Sequence, residues 1–348
     1  MDNNPELFLT NFNKNFTGVS STAANVLLEQ EKIYSLKLVG CSLPGGPKPI
    51  NSLKAYSLAK KKPRTKPFSI WHVRRNNEMR AAILARDILG LPIKIVFTSA
   101  AQRRHSPFPR WLISKMDIVI ATTDLAASFV PNVGAIIPHG VNTNNFKPSI
   151  NVEKNWKDTG FPGSMGVATI GRIRKEKGTD LFVDTMIEIL PTKKDLTALV
   201  IGKATTEDRY FLDGLRSKVS KAGLEDRIIF TGEIIPEKLP SLVRSLSLLV
   251  SLPRYEGFGM TPLEGLASGV PFVASNTGYF EEFSNEGRCG KIVPINNVKL
   301  AVKEVEKFIE DRNYRLQIGA NGRNFVECNY SIDREVKLIN RVYESLWF

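Results

Sequence analysis

Short apolar runs of strand length alternate with amphipathic helical stretches along the whole chain. The runs form two series, which predict strands near 6–10, 36–41, 69–73, 93–98, 117–121 and 133–137, and then near 166–171, 198–202, 228–232, 247–251, 271–274 and 291–293. Alternation of this kind is typical of parallel sheets built from βα units and covered by helices. The sequence therefore predicts an α/β fold with two parallel sheets.

A turn-rich segment separates the two series. It contains Pro138-His139-Gly140-Val141-Asn142 and continues through Pro148 as a polar stretch to Gly163, which suits a linker. The 348 residues, 42% of them hydrophobic, are enough for two cores. We therefore predict one domain over 1–150 and a second over 151–330. Apolar residues at helical spacing predict an amphipathic helix in the final segment, 331–348.

The positive charge is concentrated in the first part of the chain. Residues 1–150 contain 20 Lys and Arg against 8 Asp and Glu, whereas the net charge of the whole chain is +13. Such a surface attracts a polyanion, which could be nucleic acid, an acidic membrane leaflet or a phosphorylated acceptor. A basic surface that only aids solubility is the alternative.

Membrane spans and metal sites are not indicated by the sequence. No apolar run approaches the roughly 20 residues of a spanning helix, and the N-terminal segment lacks a basic stretch followed by an apolar one. Cys41, Cys289 and Cys328 are far apart and show no metal-ligand spacing. We therefore expect a cytoplasmic protein with reduced thiols and no bound metal.

A glycine-rich segment, EGFGMTPLE, runs from Glu256 to Glu264 after a predicted strand and leads into a predicted helix. A turn between a strand and a helix presents free backbone N–H groups, which suit a phosphate or a sugar hydroxyl. The two glutamates add hydrogen-bond acceptors for hydroxyl groups. Taken alone, they could equally be solvated side chains.

A second segment, GRIRKEKGT, follows the first strand of the second series. It brings Arg172 and Lys177 to the carboxyl end of the predicted sheet, where ligands of such folds bind. Arginine can grip phosphate oxygens with two N–H groups, and lysine acts as a point charge. These cations would stabilise a departing nucleoside diphosphate, although a charge run at a helix start is often simply solvated.

Three motifs together resemble the family-four retaining glycosyltransferases. They are Glu-x(7)-Glu after a strand, Gly-Arg-x(4)-Lys-Gly at the start of the second domain, and Pro-His-Gly-Val-Asn-x(3)-Phe-x-Pro in the linker. The resemblance spans nearly the whole chain. It implies the GT-B architecture, in which two Rossmann-like domains face each other across a cleft and the terminal helix crosses back to the first domain.

The resemblance implies roles for four side chains. Arg172 and Lys177 would hold the diphosphate of a nucleotide-sugar donor, Glu264 would bind ribose hydroxyls, and Glu256 would contact the donor sugar. Arg172, Lys177 and Glu256 are thus the predicted catalytic residues, and no cofactor other than the donor is expected.

Backbone groups complete the donor site that the resemblance implies. Phe258, Gly259 and Met260 would close the sugar pocket, and the loop 13–20 would bring Gly18 towards the phosphates. On physical grounds alone this loop is weak evidence, because glycine is common after a strand.

Two segments of the first part, WHVRRNNEM at 71–79 and FTSAAQRRHS at 97–106, are similar to the lipopolysaccharide core mannosyltransferases of Gram-negative bacteria. This implies transfer of mannose from GDP-mannose to the Kdo sugar of a lipid-linked inner core. A UDP- or ADP-linked donor with another anionic glycolipid acceptor is one alternative. Phosphorolysis or sugar epimerisation on the same fold and non-catalytic nucleic-acid binding are others, but few aromatic residues lie among the cations to stack on bases.

The acceptor side is less well defined. The family often has a His-Asp pair after the fourth strand, where this chain has Ser99-Ala100. His105 or His72 could substitute, although a lone histidine is more often packed or solvated. A group of arginines would suit the phosphates and carboxylates of an acceptor: Arg74, Arg75, Arg103, Arg104 and Arg110.

Two features of the first part suit an acidic membrane surface. The basic run Lys60–Lys66 could lie on anionic lipid, at roughly 1 kcal/mol per charge near the surface. Phe108, Trp111, Leu112 and Ile113 could enter the interface or pack beneath the sheet. We therefore expect peripheral contact with the inner face of the inner membrane.

Overall fold

The computed structural model describes residues 4–15 and 17–348 and divides into two compact units. The first unit comprises the chain up to Gly140 together with Ser331–Phe348, and the second comprises Val141–Tyr330. The division therefore falls at Gly140, whereas the sequence placed the boundary between 150 and 151. Each unit contains one parallel six-stranded sheet, so the predicted α/β fold class is confirmed.

The first unit has strand order β2-β1-β3-β4-β5-β6. Its strands are β1 (Leu7–Asn11), β2 (Leu36–Gly40), β3 (Ser69–Val73), β4 (Ile93–Ser99), β5 (Ile118–Ala121) and β6 (Val133–Ile136). Its connecting helices are α1 (Gly18–Gln30), α2 (Ser52–Ala59), α3 (Asn76–Ile83), α4 (Pro107–Ser114) and α5 (Asp124–Ala127). A π-helical turn, Leu84–Ile88, extends α3.

The second unit has strand order β12-β11-β10-β7-β8-β9. Its strands are β7 (Met165–Ile170), β8 (Leu196–Ile201), β9 (Ile228–Gly232), β10 (Leu248–Ser251), β11 (Phe272–Ser275) and β12 (Gly290–Val293). Its helices are α6 (Val152–Asp158), α7 (Thr179–Ile189), α8 (Arg209–Lys221), α9 (Leu239–Val243), α10 (Met260–Ala267), α11 (Phe280–Ser284), α12 (Val298–Glu310) and α13 (Arg312–Asn329). A 3-10 turn, Lys175–Lys177, precedes α7.

The last helix, α14 (Ile332–Trp347), belongs to the first unit. Its apolar face packs against α1 and the sheet, and Val336, Ile339 and Tyr343 are buried there. Burial of large apolar side chains of this kind contributes roughly 2 kcal/mol each. The final segment is therefore the amphipathic helix that the apolar spacing predicts.

Packing at the start of α14 explains the Pro-His-Gly motif. His139 Nδ1 is 2.8 Å from Glu335 Oε1, and the Gly140 backbone N–H donates to Glu335 Oε2 at 2.7 Å. A Cβ atom on Gly140 would lie 2.5 Å from the Ser331 carbonyl oxygen. The motif thus fits the chain closely against the first turn of α14.

One part of the predicted linker is a helix. Residues 152–158 form α6, and Trp156 is only 1% exposed. Its ring covers Gly166 on β7, where a Cβ atom would lie 2.0 Å from a ring carbon. The polar residues around Trp156 obscured this helix, because a single aromatic side chain provides most of its buried surface.

Candidate active site

The second unit brings Lys177 and Glu256 together. Lys177 ends the 3-10 turn after β7, and Glu256 lies in the loop between β10 and α10. Lys177 Nζ is 2.5 Å from Glu256 Oε2, and the two side chains are 25% and 20% exposed. β7 and β10 are neighbours in the sheet, so their carboxyl ends deliver both residues to one edge. An ammonium group has three N–H donors, so Nζ can hold Glu256 and a phosphate oxygen together.

Gly178 allows the turn with Lys177 to lie against the end of β10. Its φ of +65° is in the left-handed region, which glycine adopts without strain. A Cβ atom at this position would lie 1.7 Å from the Leu252 carbonyl oxygen. The second glycine of the Gly-Arg-x(4)-Lys-Gly motif is therefore required by the close approach of two chain segments.

Arg254 and Asp180 join the same two segments. The Arg254 guanidinium donates two hydrogen bonds to the Asp180 carboxylate, both of 2.8 Å, and the Arg254 backbone N–H donates to the Glu176 carbonyl. A bidentate pair fixes orientation as well as distance. The loop that carries Glu256 is thus held against the turn that carries Lys177. Neither Arg254 nor Asp180 stands out in the sequence, where 74 positions separate them. The only feature of the sequence that could have pointed to this pair is the position of Arg254, two residues before Glu256.

Arg172 directly follows β7, and its side chain is exposed. Among residues 4–15 and 17–348, no group forms a hydrogen bond or ion pair with its guanidinium. Its N–H groups are therefore available to an anionic ligand at the same edge of the sheet as Lys177.

The loop after Glu256 leads to the uncapped N-terminus of α10. Gly259 is the N-cap residue, with φ +95° and no side-chain capping bond, and a Cβ atom there would lie 2.0 Å from the Phe280 ring. Phe258 is 4% exposed and stacks on Tyr279, and its carbonyl accepts the Tyr279 backbone N–H at 3.0 Å, so its side chain is part of the core. The N–H groups at Gly259 and Met260 belong to the helix start, where an oxygen ligand is favoured.

Glu264 lies one turn into α10, half-buried. Burial raises the pKa of its carboxyl group from 4.5 to about 7. No residue in the described part of the chain donates a side-chain or backbone hydrogen bond to this carboxylate. A carboxylate in this setting is stabilised by hydroxyl donors from a ligand.

In the first unit, Gly18 is the first residue of α1. Thr17 is the N-cap residue without a side-chain capping bond, and the first turn contains no acidic residue. Among the described residues, no atom lies within 4 Å of a Cβ atom placed on Gly18. Phe16, in the predicted phosphate loop 13–20, lies outside the described residues.

Arg75 belongs to an internal network of the first unit. Its guanidinium donates to Glu78 at 2.9 Å, to Asn11 at 3.0 Å and to Ser20 at 2.9 Å. Glu78 is fully buried and also accepts from the Thr10 hydroxyl. The Arg75 guanidinium therefore links β1, α1 and α3. The sequence predicted that Arg75 binds the acceptor, but these internal partners already accept its hydrogen bonds.

His72 is packed inside the first unit. It is 0% exposed, with Nδ1 2.5 Å from the Tyr343 hydroxyl and Nε2 2.7 Å from the Thr98 hydroxyl. Burial, followed by the nearby Arg74 and His139, lowers the pKa of His72 well below 6.5. Both ring nitrogens are engaged within the protein, so His72 does not take the place of an acceptor-side histidine.

The other predicted acceptor residues follow β3 and β4. Arg74 lies at the end of β3, and burial lowers the pKa of its guanidinium. Arg103 and Arg104 are exposed in the loop after β4. His105 is half-buried in that loop, and burial lowers the pKa of its imidazole.

The aromatic residues of α4 are exposed. Phe108 and Trp111 are 53% and 50% exposed and stack on each other with ring centroids 6.1 Å apart, whereas Leu112 and Ile113 are buried in the core. Of the basic run, Lys66 is bound to Glu344 at 2.7 Å and lies over the Trp347 ring. Of the four α4 residues considered for membrane contact, only Phe108 and Trp111 face solvent. Leu112 and Ile113 pack in the core instead.

Within residues 4–15 and 17–348, no three His, Cys, Asp or Glu side chains are grouped so as to hold a metal ion. No helix in this same part of the chain combines the length and the apolar character needed to cross a bilayer.

The sequence has curated relatives along nearly its whole length. Residues 153–325 match the family model described as glycosyl transferases group 1. The chain is 40% identical over 347 residues to the lipopolysaccharide core biosynthesis mannosyltransferase LpsB of Rhizobium meliloti, covering 98% of this chain and 97% of that protein. It is 39% identical over 343 residues to LpcC of Rhizobium leguminosarum bv. viciae, which has the same description, covering 98% and 96%.

Solved structures agree with this relationship. The C-terminal domain of LpcC from Francisella tularensis is 36% identical, with a TM-score of 0.54, and covers 56% of this chain and all of that one. Anabaena HepE superposes with a TM-score of 0.81 at 16% identity, covering 97% and 99%, and shows that the fold is that of GT-B enzymes. The chain therefore belongs to the group 1 glycosyltransferases and is an enzyme of that family.

Proposed function

We propose that this glycosyltransferase moves mannose from GDP-mannose to the Kdo sugar of the lipopolysaccharide inner core. The observation that carries the proposal is the 40% identity to LpsB across 98% of the chain, which includes the first unit as well as the donor-binding motifs. The relative's description supports mannosyl transfer in core biosynthesis. GDP-mannose and Kdo rest on the resemblance of segments 71–79 and 97–106.

The second unit would bind the donor through the two motifs that follow β7 and β10. Arg172 and Lys177 would hold the diphosphate, Glu264 would accept hydrogen bonds from the ribose hydroxyls, and Glu256 would contact the mannose. The 2.5 Å contact between Lys177 and Glu256 supports these roles, because the mannose and the diphosphate of one donor are adjacent groups. Residues that bind them must therefore lie close together. Gly18, the first residue of α1, would contribute backbone N–H groups to the phosphates.

We propose that transfer retains the anomeric configuration by front-face attack. The bond between the anomeric carbon and the diphosphate oxygen breaks, and the acceptor oxygen bonds to the same face of that carbon. The acceptor proton passes to the departing diphosphate oxygen, so no side-chain base is needed. Arg172 and Lys177 would stabilise the negative charge that develops on the diphosphate, and no metal takes part in this scheme.

We also propose that α4 contacts an acidic membrane surface. The exposed Phe108–Trp111 pair supports this, because aromatic rings favour the lipid–water interface. Three exposed arginines accompany the pair and would attract anionic lipid: Arg103, Arg104 and Arg110.

Thermal unfolding in the presence of GDP, UDP or ADP tests the donor. A nucleotide that binds only the folded state stabilises it, by about 2.7 kcal/mol at a concentration one hundred times its Kd. We expect GDP to raise the unfolding temperature and UDP and ADP to have little effect. Stabilisation by UDP without stabilisation by GDP would contradict the mannosyl donor.

Sedimentation with vesicles tests the membrane contact. We expect the protein to bind vesicles that contain anionic lipid and the double variant Phe108→Ser/Trp111→Ser to bind several-fold less. Tyr210→Ser is the matched control, because Tyr210 is an aromatic residue of the second unit that is 91% exposed. Equal binding by all three proteins would exclude α4 as the contact.

A further inference from the structure

Buried polar atoms without hydrogen-bond partners gather at one edge of the sheet in the first unit. They are Arg74 Nε and Nη1, Ser99 Oγ, His105 Nε2 and Thr122 Oγ1. Two other such atoms in the described part of this unit are Gln30 Oε1 and Trp71 Nε1. Buried polar groups in native proteins are nearly always paired with protein groups, ordered water or a ligand, so these atoms have hydrogen bonds left for such a partner.

The four residues come from adjacent strands and one loop. Arg74 follows β3, Ser99 ends β4, and Thr122 follows β5, whose neighbour in the sheet is β4. The Thr122 backbone N–H donates to the Ser99 carbonyl at 3.0 Å, which places these two hydroxyl-bearing residues side by side. His105 lies in the loop that leaves β4. Arg74, Ser99 and Thr122 therefore all lie at the carboxyl edge of the sheet, the ligand-binding edge of such folds, and the loop with His105 leaves from that edge.

The carboxylates near Arg74 are committed to other groups. Glu78 accepts the Arg75 guanidinium at Oε1 and the Thr10 hydroxyl and Arg74 backbone N–H at Oε2. Glu335 accepts from His139 at Oε1 and from the Gly140 N–H at Oε2. Both carboxylates raise the pKa of Arg74, so they are close, but neither forms a hydrogen bond with its guanidinium.

Arg75 differs from Arg74 in this respect. Both terminal nitrogens of the Arg75 guanidinium donate hydrogen bonds within the protein, whereas Nε and Nη1 of Arg74, the preceding residue, are buried and have no partner. Leaving a buried charge without a hydrogen-bonded partner is costly, and an anionic ligand removes that cost. The planar N–H fork of arginine matches a carboxylate better than it matches a neutral hydroxyl.

We propose that Arg74 is the receptor for the carboxylate of the acceptor sugar, with the Ser99 and Thr122 hydroxyls and His105 binding sugar hydroxyls beside it. The identity of the acceptor as a sugar acid rests on the proposed function. The site itself lies wholly within the first unit, so binding can be measured without donor and without transfer.

Calorimetric titration of the full chain with Kdo and with its methyl ester tests the proposal. The ester keeps every hydroxyl and removes the charge. We expect wild-type protein to bind the acid roughly ten- to hundredfold more tightly than the ester, as expected for a charge-assisted hydrogen-bonded pair. Arg74→Gln should bind the two equally, and Arg74→Lys should recover only part of the preference. Arg80→Gln, an exposed arginine on α3, is the matched control and should behave as wild type.

Three results would overturn the proposal. One is equal binding of acid and ester by wild-type protein, which requires no variant and so does not depend on whether a substituted protein folds. Another is an undiminished preference for the acid in Arg74→Gln. The third is a loss of GDP-mannose affinity in Arg74→Gln with Kdo selectivity unchanged, which would make Arg74 a ligand of the donor phosphates. A preference for the acid that depends on Arg74, in a protein that transfers no mannose, would support the site and contradict the proposed function.

Discussion

The Arg254 guanidinium and the Asp180 carboxylate form a bidentate pair in which both N–O distances are 2.8 Å. Arg254 lies two residues before Glu256, and Asp180 lies three residues after Lys177. The pair therefore fixes the two segments whose side chains meet in the Lys177–Glu256 contact. The positions of Lys177 and Glu256 are thus supported by a second ion pair that the three motifs do not include.

Replacing Asp180 by Asn should lower kcat/KM by at least about tenfold, because charged hydrogen bonds of this kind contribute roughly 1.5–3 kcal/mol. The substitution keeps the shape of the side chain and removes the charge that holds Arg254. Steady-state transfer kinetics provide the measurement. Glu153→Gln is the matched control, since it breaks an exposed arginine–carboxylate pair with Arg312 in the same unit. Equal activity of the two variants would show that the Asp180 pair does not position the site.

Glu264 should make the protein less stable at alkaline pH. Its pKa is 4.5 ordinarily and about 7 in the folded protein. Between these values the folded state holds a proton that the unfolded state has lost, so stability falls as pH rises through this window and stays low above pH 7. Glu264→Gln should therefore be more stable than wild type at pH 8, by roughly 3 kcal/mol at about 1.4 kcal/mol per pKa unit. The two proteins should be alike at pH 4, as measured by urea unfolding.

The affinity for GDP-mannose should depend on the same carboxyl group. Ribose hydroxyls donate to the ionised form, so the Kd should be lowest at pH 8 and should rise as pH falls through about 7. Calorimetry between pH 6 and pH 8 measures this, and GDP-mannose suits it because its diphosphate, esterified at both ends, has no proton to exchange in this range. Glu264→Gln should bind more weakly and lose the pH dependence. A wild-type Kd that is constant over this range would contradict the assignment of Glu264 to the ribose.

The buried His72–Tyr343 contact should be important for the stability of the first unit. Tyr343→Phe leaves His72 Nδ1 without its partner at 2.5 Å, and we expect a loss of about 1–3 kcal/mol in the free energy of unfolding. Tyr210→Phe, at an exposed tyrosine, should cost nothing. Thermal unfolding of both variants is measured at pH 8, where His72 is neutral in folded and unfolded chains alike and its titration does not contribute. An unchanged unfolding temperature for Tyr343→Phe would exclude this role.

Much of the fold could be predicted from the sequence, because strands buried on both faces read as short apolar runs. All twelve strands occur within a few residues of their expected positions. The helix α6 was hidden because one residue, Trp156, provides most of its packing. His72 could not be placed from sequence, since its burial depends on Tyr343, which is 271 residues away.

The candidate site was predictable where a motif is local in the chain. Gly178, Lys177 and Glu256 all belong to segments with recognisable spacing. The Asp180–Arg254 pair and the unmatched guanidinium of Arg74 were not predictable, because each depends on which groups the fold brings near and which of them are already bonded. Arg74 and Arg75 are adjacent in sequence, and only the fold distinguishes the free guanidinium from the engaged one.

Transfer of radiolabelled mannose from GDP-mannose to a Kdo-containing lipid A acceptor tests the central claim most directly. We predict that the wild-type protein labels the acceptor with retention of the donor's anomeric configuration and does not use UDP- or ADP-linked sugars comparably. Lys177→Ala should lose at least about a hundredfold in rate, since it removes a charge that stabilises the leaving diphosphate. Lys218→Ala, at an exposed lysine on α8, should not. Absence of mannose transfer, preference for another nucleotide sugar, or full activity in Lys177→Ala would contradict the account.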